Sequence, residues 1–212
     1  LNCNKKCKTG KMGNNRVEHT LNKVVFLDRD GTLNEEVNYL HKTEDMKLLP
    51  GVPQALKKLK DAGYKLIVVT NQAGVARGYY TEDDVKNLHQ YMNQVLQKDG
   101  AWIDAFYYCP HHPVHGIGIY KKECNCRKPG TGMFEMAEKD FPVDKAASYM
   151  IGDKLLDTEA GQRFGVASIL VGTGYGAELH KEAQEKDEKP PYDHYADTLE
   201  EAAQWILEKN GK

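Results

Sequence analysis

This sequence predicts an α/β domain with a mainly parallel sheet and helices on both faces, and three observations carry the prediction. Short apolar runs rich in Val and Ile alternate with segments whose apolar residues recur at helical spacing. The runs lead into polar clusters, as buried parallel strands do at their carboxyl edge. A chain of 212 residues with 40% hydrophobic content can bury one core without disulfides.

Residues 1–20 are polar and cationic with no period, and are expected to form a disordered tail that contains Cys3 and Cys7. Residues 24–28 (VVFLD) form the first strand and end in a carboxylate. After Pro50 and Gly51, Val52, Ala55, Leu56, Leu59 and Ala62 mark one face of a helix that Gly63 closes. Residues 65–70 (KLIVVT) are the second strand. A longer helix then begins near the capping Thr81 and carries Val85, Leu88, Met92, Val95 and Leu96. Residues 104–108 (DAFYY), 147–152 (ASYMIG) and 166–171 (VASILV) supply three further strands. Helices are expected at about 131–140, 155–164 and 198–208. The charged, proline-broken stretch 180–193 reads as a solvated helix end and loop, and 21–212 as a single domain with no internal repeat.

The net charge of −2 arises from 29 basic and 31 acidic residues with no long block of one sign. That balance argues against nucleic acid or an anionic membrane as partner and for a small soluble substrate. No apolar run approaches the roughly 20 residues that cross a bilayer, and the first 20 residues lack the apolar centre of a secretory signal. A cytoplasmic protein is expected, and, with no heptads or long apolar edge, a monomer. Of five cysteines, three fall in one segment, a usage that suits metal binding in a reducing compartment.

Ligands of open α/β sheets bind outside the carboxyl ends of the strands, so the polar clusters there are read together. They are Asp28-Arg29-Asp30-Gly31-Thr32, Thr70-Asn71-Gln72, Arg127-Lys128-Pro129 and Gly152-Asp153-Lys154. Taken singly, a D-x-D-G is often a solvated turn, Thr70 a satisfied strand end and Lys128 a surface lysine. Their strand context and order along the chain favour phosphoryl transfer. Asp28 would attack phosphorus while Asp30 moves a proton. Mg²⁺ held by Asp28, Asp153 and a backbone carbonyl would offset the negative charge, and Thr70 and Lys128 would hold phosphoryl oxygens.

Cys109-Pro110-His111 is followed after twelve residues by Cys124-Asn125-Cys126. Three thiolates and one imidazole close a tetrahedral, structural zinc site with no open position. His112 and His115 lie close enough to compete with His111, the preferred ligand. Zinc there would order the loop and set Arg127 and Lys128 beside the phosphate.

The series DRDGT, Thr70-Asn71, Lys128 and Gly152-Asp153 with Asp157 resembles the four motifs of the haloacid dehalogenase superfamily of phosphatases, over residues 24 to about 172. The resemblance implies a three-layer Rossmann-like fold. It also implies Asp28 as nucleophile and metal ligand, Asp30 as acid/base lending its carbonyl to Mg²⁺, Asp153 as third ligand and Asp157 as its support. The C-x-H…C-x-C-R-K-P loop is similar to that of the D-glycero-D-manno-heptose-1,7-bisphosphate 7-phosphatases and the related histidinol-phosphate phosphatases, and the gap of twelve residues matches the former. Substrate contacts are implied at Glu36, Val37, Asn38 and Tyr39 in a flap, at Thr70, Asn71, Gln72 and Ala73, and at Arg127, Lys128 and Lys154. Residues 35–38 (EEVN) depart from the family's usual flap wording. Only residues 29–69 separate the first two motifs, which leaves no room for a large cap domain. An open site admits larger substrates, so a phosphoprotein stands beside histidinol phosphate as an alternative. Arg127 is expected to grip the second phosphate of a bisphosphate with its planar fork.

Overall fold

The computed structural model describes residues 20–186 and 189–210. Cys3, Cys7 and the expected disorder of the tail up to residue 19 fall outside them.

Six parallel strands form one sheet in the order β3-β2-β1-β4-β5-β6. They are β1 (Val24–Leu27), β2 (Lys65–Asn71), β3 (Ala105–Cys109), β4 (Tyr149–Gly152), β5 (Ala167–Val171) and β6 (His194–Ala196). The helices are α1 (Val52–Asp61), α2 (Ala73–Ala76), α3 (Glu82–Gln97), α4 (Gly132–Asp140), α5 (Leu155–Phe164), α6 (Gly176–Gln184) and α7 (Leu199–Asn210). The five expected strands are present. Strand β6 was not foreseen: its three residues, HYA, carry no apolar run, and pairing with β5 defines it, Ile169 opposite His194 and Val171 opposite Ala196. Helix α2 spans four residues, too few to show a period. Helix α6 buries only Gly176, so its sequence looks solvated throughout.

Strand β1 shows why the strands read as continuous apolar runs. Val25 and Leu27 point into one core with Leu56 and Leu59 of α1, Leu88 and Met92 of α3 and Ile206 of α7. Val24 and Phe26 point into the other with Phe134 of α4 and Phe164 of α5. All four β1 side chains are fully buried. Each contributes roughly 1.5–3 kcal/mol by leaving water. Helix α3 starts with the expected Thr81, in a capping box with Asp84: Thr81 Oγ1 accepts from Asp84 N and the Asp84 carboxylate accepts from Thr81 N.

From β1 the chain builds outward through β2 and β3, then crosses back to β4 on the other side. The strand order therefore reverses between β1 and β4, which opens a crevice at their carboxyl ends. Asp28 N donates to Ile151 O at 2.9 Å and aligns the two strand ends. Among the described residues no helix is long and apolar enough to cross a membrane.

Candidate active site

Three buried carboxylates meet in that crevice. Asp28 follows β1, Asp153 follows β4 and Asp157 lies in the first turn of α5; one oxygen from each falls within 4.8 Å of the others. Asp157 caps α5 by accepting from Lys154 N at 3.0 Å, and its other oxygen lies 2.7 Å from Lys128 Nζ. Lys128 is itself buried and also donates to Asp28 Oδ1 and Val69 O, both at 2.7 Å. Burial alone would depress this lysine, but Asp157 and Asp28 outweigh it and hold the ammonium protonated above its ordinary range. Two glycines make room for Asp153. A Cβ on Gly31 or Gly174 would stand 2.3 or 2.1 Å from Asp153 Oδ2, and both residues have positive φ.

Three carboxylates share the buried ammonium of Lys128 and the more distant one of Lys154, 3.9 Å from Asp153 and also paired with Glu36, which leaves an excess of negative charge. Burial first, then Asp28, pushes Asp153 up to about 8, and Asp153 Oδ1 is buried without a hydrogen-bond partner. An all-oxygen donor set with an unsatisfied carboxylate oxygen fits a hard divalent cation such as Mg²⁺.

Asp30 is held by four donors. Arg29 grips it with Nε (3.1 Å) and Nη2 (2.8 Å), Asn34 Nδ2 reaches it at 3.0 Å and Gln72 Nε2 at 3.1 Å. Burial acts to raise Asp30, yet Arg29, Asn34 and Gln72 prevail and keep it below the usual carboxylate range. Arg29 is fully buried and also donates to Leu40 O and Gln72 Oε1, with His89 Nε2 3.3 Å from its Nη1. Burial and then Arg29 push His89 down to about 3, so it stays neutral. Gln72 Oε1 accepts in addition from Tyr80 OH at 2.8 Å, and Gln72 Nε2 donates to Thr70 Oγ1 at 2.9 Å. Sequence reasoning quoted Arg29 within its motif without giving it a task, and missed Tyr80, in the bend before α3, and His89, which lies on the helical periodicity of α3.

A cavity of about 300 Å³ opens above this floor. Asp28, Asp30, Thr70, Gln72 and Lys128 line it, as do Glu36, Asn38, Tyr39, Asn71, Ala73, Arg127 and Lys154. Val37 is half-buried against the core formed with α1 and α3, and it lines a neighbouring pocket of the flap with Asn38 and Tyr39. Asn71 lines the cavity and has a second engagement. Its amide brackets the backbone of Lys128, donating to Lys128 O at 3.1 Å and accepting from Lys128 N at 3.0 Å. Across the mouth Lys154 Nζ pairs with Glu36 at 2.7 Å, and Arg127 Nη1 donates to His111 O at 3.3 Å.

The structure gathers Cys109, His111, Cys124 and Cys126, and leaves His112 and His115 outside the group. The three sulfurs lie 3.2–3.5 Å apart, and His111 Nδ1 is 3.4 and 3.7 Å from Cys126 and Cys109 Sγ. Bonds of about 2.3 Å to a central zinc give tetrahedral edges of roughly 3.8 Å. The cluster is close to that size and could hold zinc. His112 Nδ1 instead accepts from Val114 N and His115 N within the loop.

Residues 25–97 match a haloacid dehalogenase-like hydrolase family model and residues 125–202 a HAD-hydrolase-like one. D-glycero-beta-D-manno-heptose-1,7-bisphosphate 7-phosphatase of Haemophilus ducreyi is 50% identical over 154 residues, 72% of this chain and 84% of that protein. The corresponding alpha-heptose phosphatase of Photorhabdus laumondii is 44% identical over 160 residues, 75% of this chain and 87% of that protein. A crystal structure of D,D-heptose 1,7-bisphosphate phosphatase from B. bronchiseptica, complexed with magnesium and phosphate, superposes with a TM-score of 0.76 at 31% identity, covering 88% of this chain and 99% of that one. With this identity over most of its length, the chain belongs to the haloacid dehalogenase superfamily of hydrolases, in the family of the heptose-1,7-bisphosphate 7-phosphatases.

Proposed function

We propose that the chain hydrolyses the C7 phosphate of D-glycero-D-manno-heptose 1,7-bisphosphate through an aspartyl-phosphate on Asp28. The observation that carries this reading is the delivery of Arg127 and Lys128, from a cysteine-histidine loop, into the same cavity as Asp28 and Asp30.

In the first step an Asp28 oxygen bonds to phosphorus while the bond from phosphorus to the C7 oxygen breaks, and Asp30 gives that oxygen a proton. In the second, Asp30 takes a proton from water as the water oxygen attacks phosphorus, releasing inorganic phosphate and the free Asp28 carboxylate. The donors around Asp30 keep it ionised in the free site, and a phosphate dianion beside it would raise its affinity for the proton it must first carry. Lys128, 2.7 Å from Asp28, offsets the charge of the attacking carboxylate and the transferring group, with Thr70 as a second donor to phosphoryl oxygens. Asp28, Asp153 and the Asp30 carbonyl would hold Mg²⁺, which when bound supplies positive charge to the phosphoryl oxygens. Cys109, His111, Cys124 and Cys126 would hold a structural zinc, and free thiols kept for metal suit a cytoplasmic enzyme. Asn38, Tyr39 and Ala73 would contact the sugar.

Mg²⁺-dependent phosphate release tests the proposal across the α and β heptose bisphosphates, histidinol phosphate and a phosphopeptide. The heptose bisphosphates are expected to give the highest kcat/KM; a higher value for histidinol phosphate or the phosphopeptide refutes it.

A further inference from the structure

Arg77 follows α2, half-buried between the flap and the cysteine-histidine loop. Its guanidinium lies over the Tyr39 ring, 5.8 Å from the centroid, and Tyr39 lines the cavity. Tyr39 adopts φ 61°, uncommon for a bulky residue, and Tyr79 meets its ring edge-on at 4.8 Å, so the flap tip is held as a wall beside Arg77. On the other side Ile117 N of the loop donates to Ala76 O at 2.8 Å.

The cations of this rim differ in their partners. Lys154 is paired with Glu36 and Arg127 donates to a carbonyl. Arg77 has no carboxylate and no hydrogen-bond acceptor for its guanidinium among the described residues, and its Nε is buried without a partner. A guanidinium presents five N–H donors, and leaving a buried one unmet is costly unless a ligand fills it. Stacking on one exposed tyrosine, at about 0.5–1 kcal/mol, does not meet those donors. A planar fork with open donors beside an anion-binding cavity matches a phosphate.

We propose that Arg77 is a specificity-determining residue that, together with Arg127, holds the phosphate of the substrate remote from the scissile one. This rests on the bisphosphatase reading and extends it. The test is steady-state kinetics of the metal-loaded enzyme and its Arg77→Gln and Arg77→Lys variants on heptose 1,7-bisphosphate and heptose 7-phosphate. Loss of a charge-assisted hydrogen bond predicts that the bisphosphate-to-monophosphate ratio of kcat/KM falls about 10- to 100-fold in Arg77→Gln, through KM, and recovers in part in Arg77→Lys. Equal losses on both substrates, or a change confined to kcat, would overturn the assignment and leave Arg77 as a support for Tyr39. Should the unaltered enzyme show no preference for the bisphosphate, the bisphosphatase reading fails first and the assignment with it.

Discussion

Asn71→Ala separates two accounts of one residue. Motif reasoning makes Asn71 a substrate contact, whereas the structure turns its amide onto the backbone of Lys128 with hydrogen bonds of 3.1 and 3.0 Å. Two hydrogen bonds at a net value of about 1 kcal/mol each give a destabilisation of about 2 kcal/mol. For a chain of this size that lowers Tm by roughly 4–8 °C. Lys128 Nζ sits 2.7 Å from Asp28 Oδ1, and a displacement of about 1 Å in such a group can cost about 100-fold in rate. Thermal melts and Mg²⁺-dependent phosphate release at saturating substrate are therefore expected to show a lower Tm and a kcat reduced about 10- to 100-fold, with KM little changed. A raised KM with Tm and kcat intact would show that Asn71 holds substrate and that its bracket on Lys128 is incidental.

Asp28→Asn should abolish turnover while the melt stays cooperative, because an amide fills the same volume but cannot form the acyl-phosphate; activity above about one hundredth of the parent would remove Asp28 as nucleophile. Freshly purified protein should carry about one zinc per chain, and Cys126→Ser should lose it together with both stability and activity; metal-free yet fully stable protein would sink the zinc assignment. Asp153→Asn should raise the Tm of metal-free protein by relieving the crowded carboxylates and abolish the stabilisation that Mg²⁺ confers on the parent; an unchanged Mg²⁺-induced shift would exclude Asp153 as a ligand. For His89 the folded value of about 3 lies below the ordinary 6.5, so its contribution is intact above about pH 6.5 and is lost as pH falls toward 3, at up to about 1.4 kcal/mol per unit. Denaturant unfolding between pH 7 and pH 5 should weaken the parent more than His89→Gln, and parallel pH dependences would disprove the assignment.

The sheet was legible because its strands are buried on both faces, which leaves continuous apolar runs such as Val24 to Leu27 ending at Asp28. Strand β6 lay beyond such reasoning, since His194 and Tyr195 are only half-buried and their strand character depends on β5. At the site, the residues with spacing signatures were found and those that act through partners were not. Asp28 and Asp30 share one turn, and the cysteines come as C-x-H and C-x-C. Arg29 and His89 are 60 residues apart, and nothing in either local sequence says that they touch.

The distances along the chain also explain why a structural metal would matter to catalysis. Lys128 Nζ bonds Asp28 from 100 residues away and Val69 from 59, so its position is set by where the cysteine-histidine loop ends and by little within the loop. That loop has few apolar anchors of its own: Val114, Ile117 and Ile119 are 63%, 63% and 79% exposed. Its other ties are hydrogen bonds through Tyr120 OH to Glu82 at 2.8 Å and through Asn71, and the packing of Tyr120 against Val75, Tyr80 and Val85. Three cysteines and one histidine holding a metal would add a fixed point to that packing, two residues before Lys128. The cluster would therefore act on rate without touching substrate, because its loss would shift the end of the loop where Arg127 and Lys128 line the cavity.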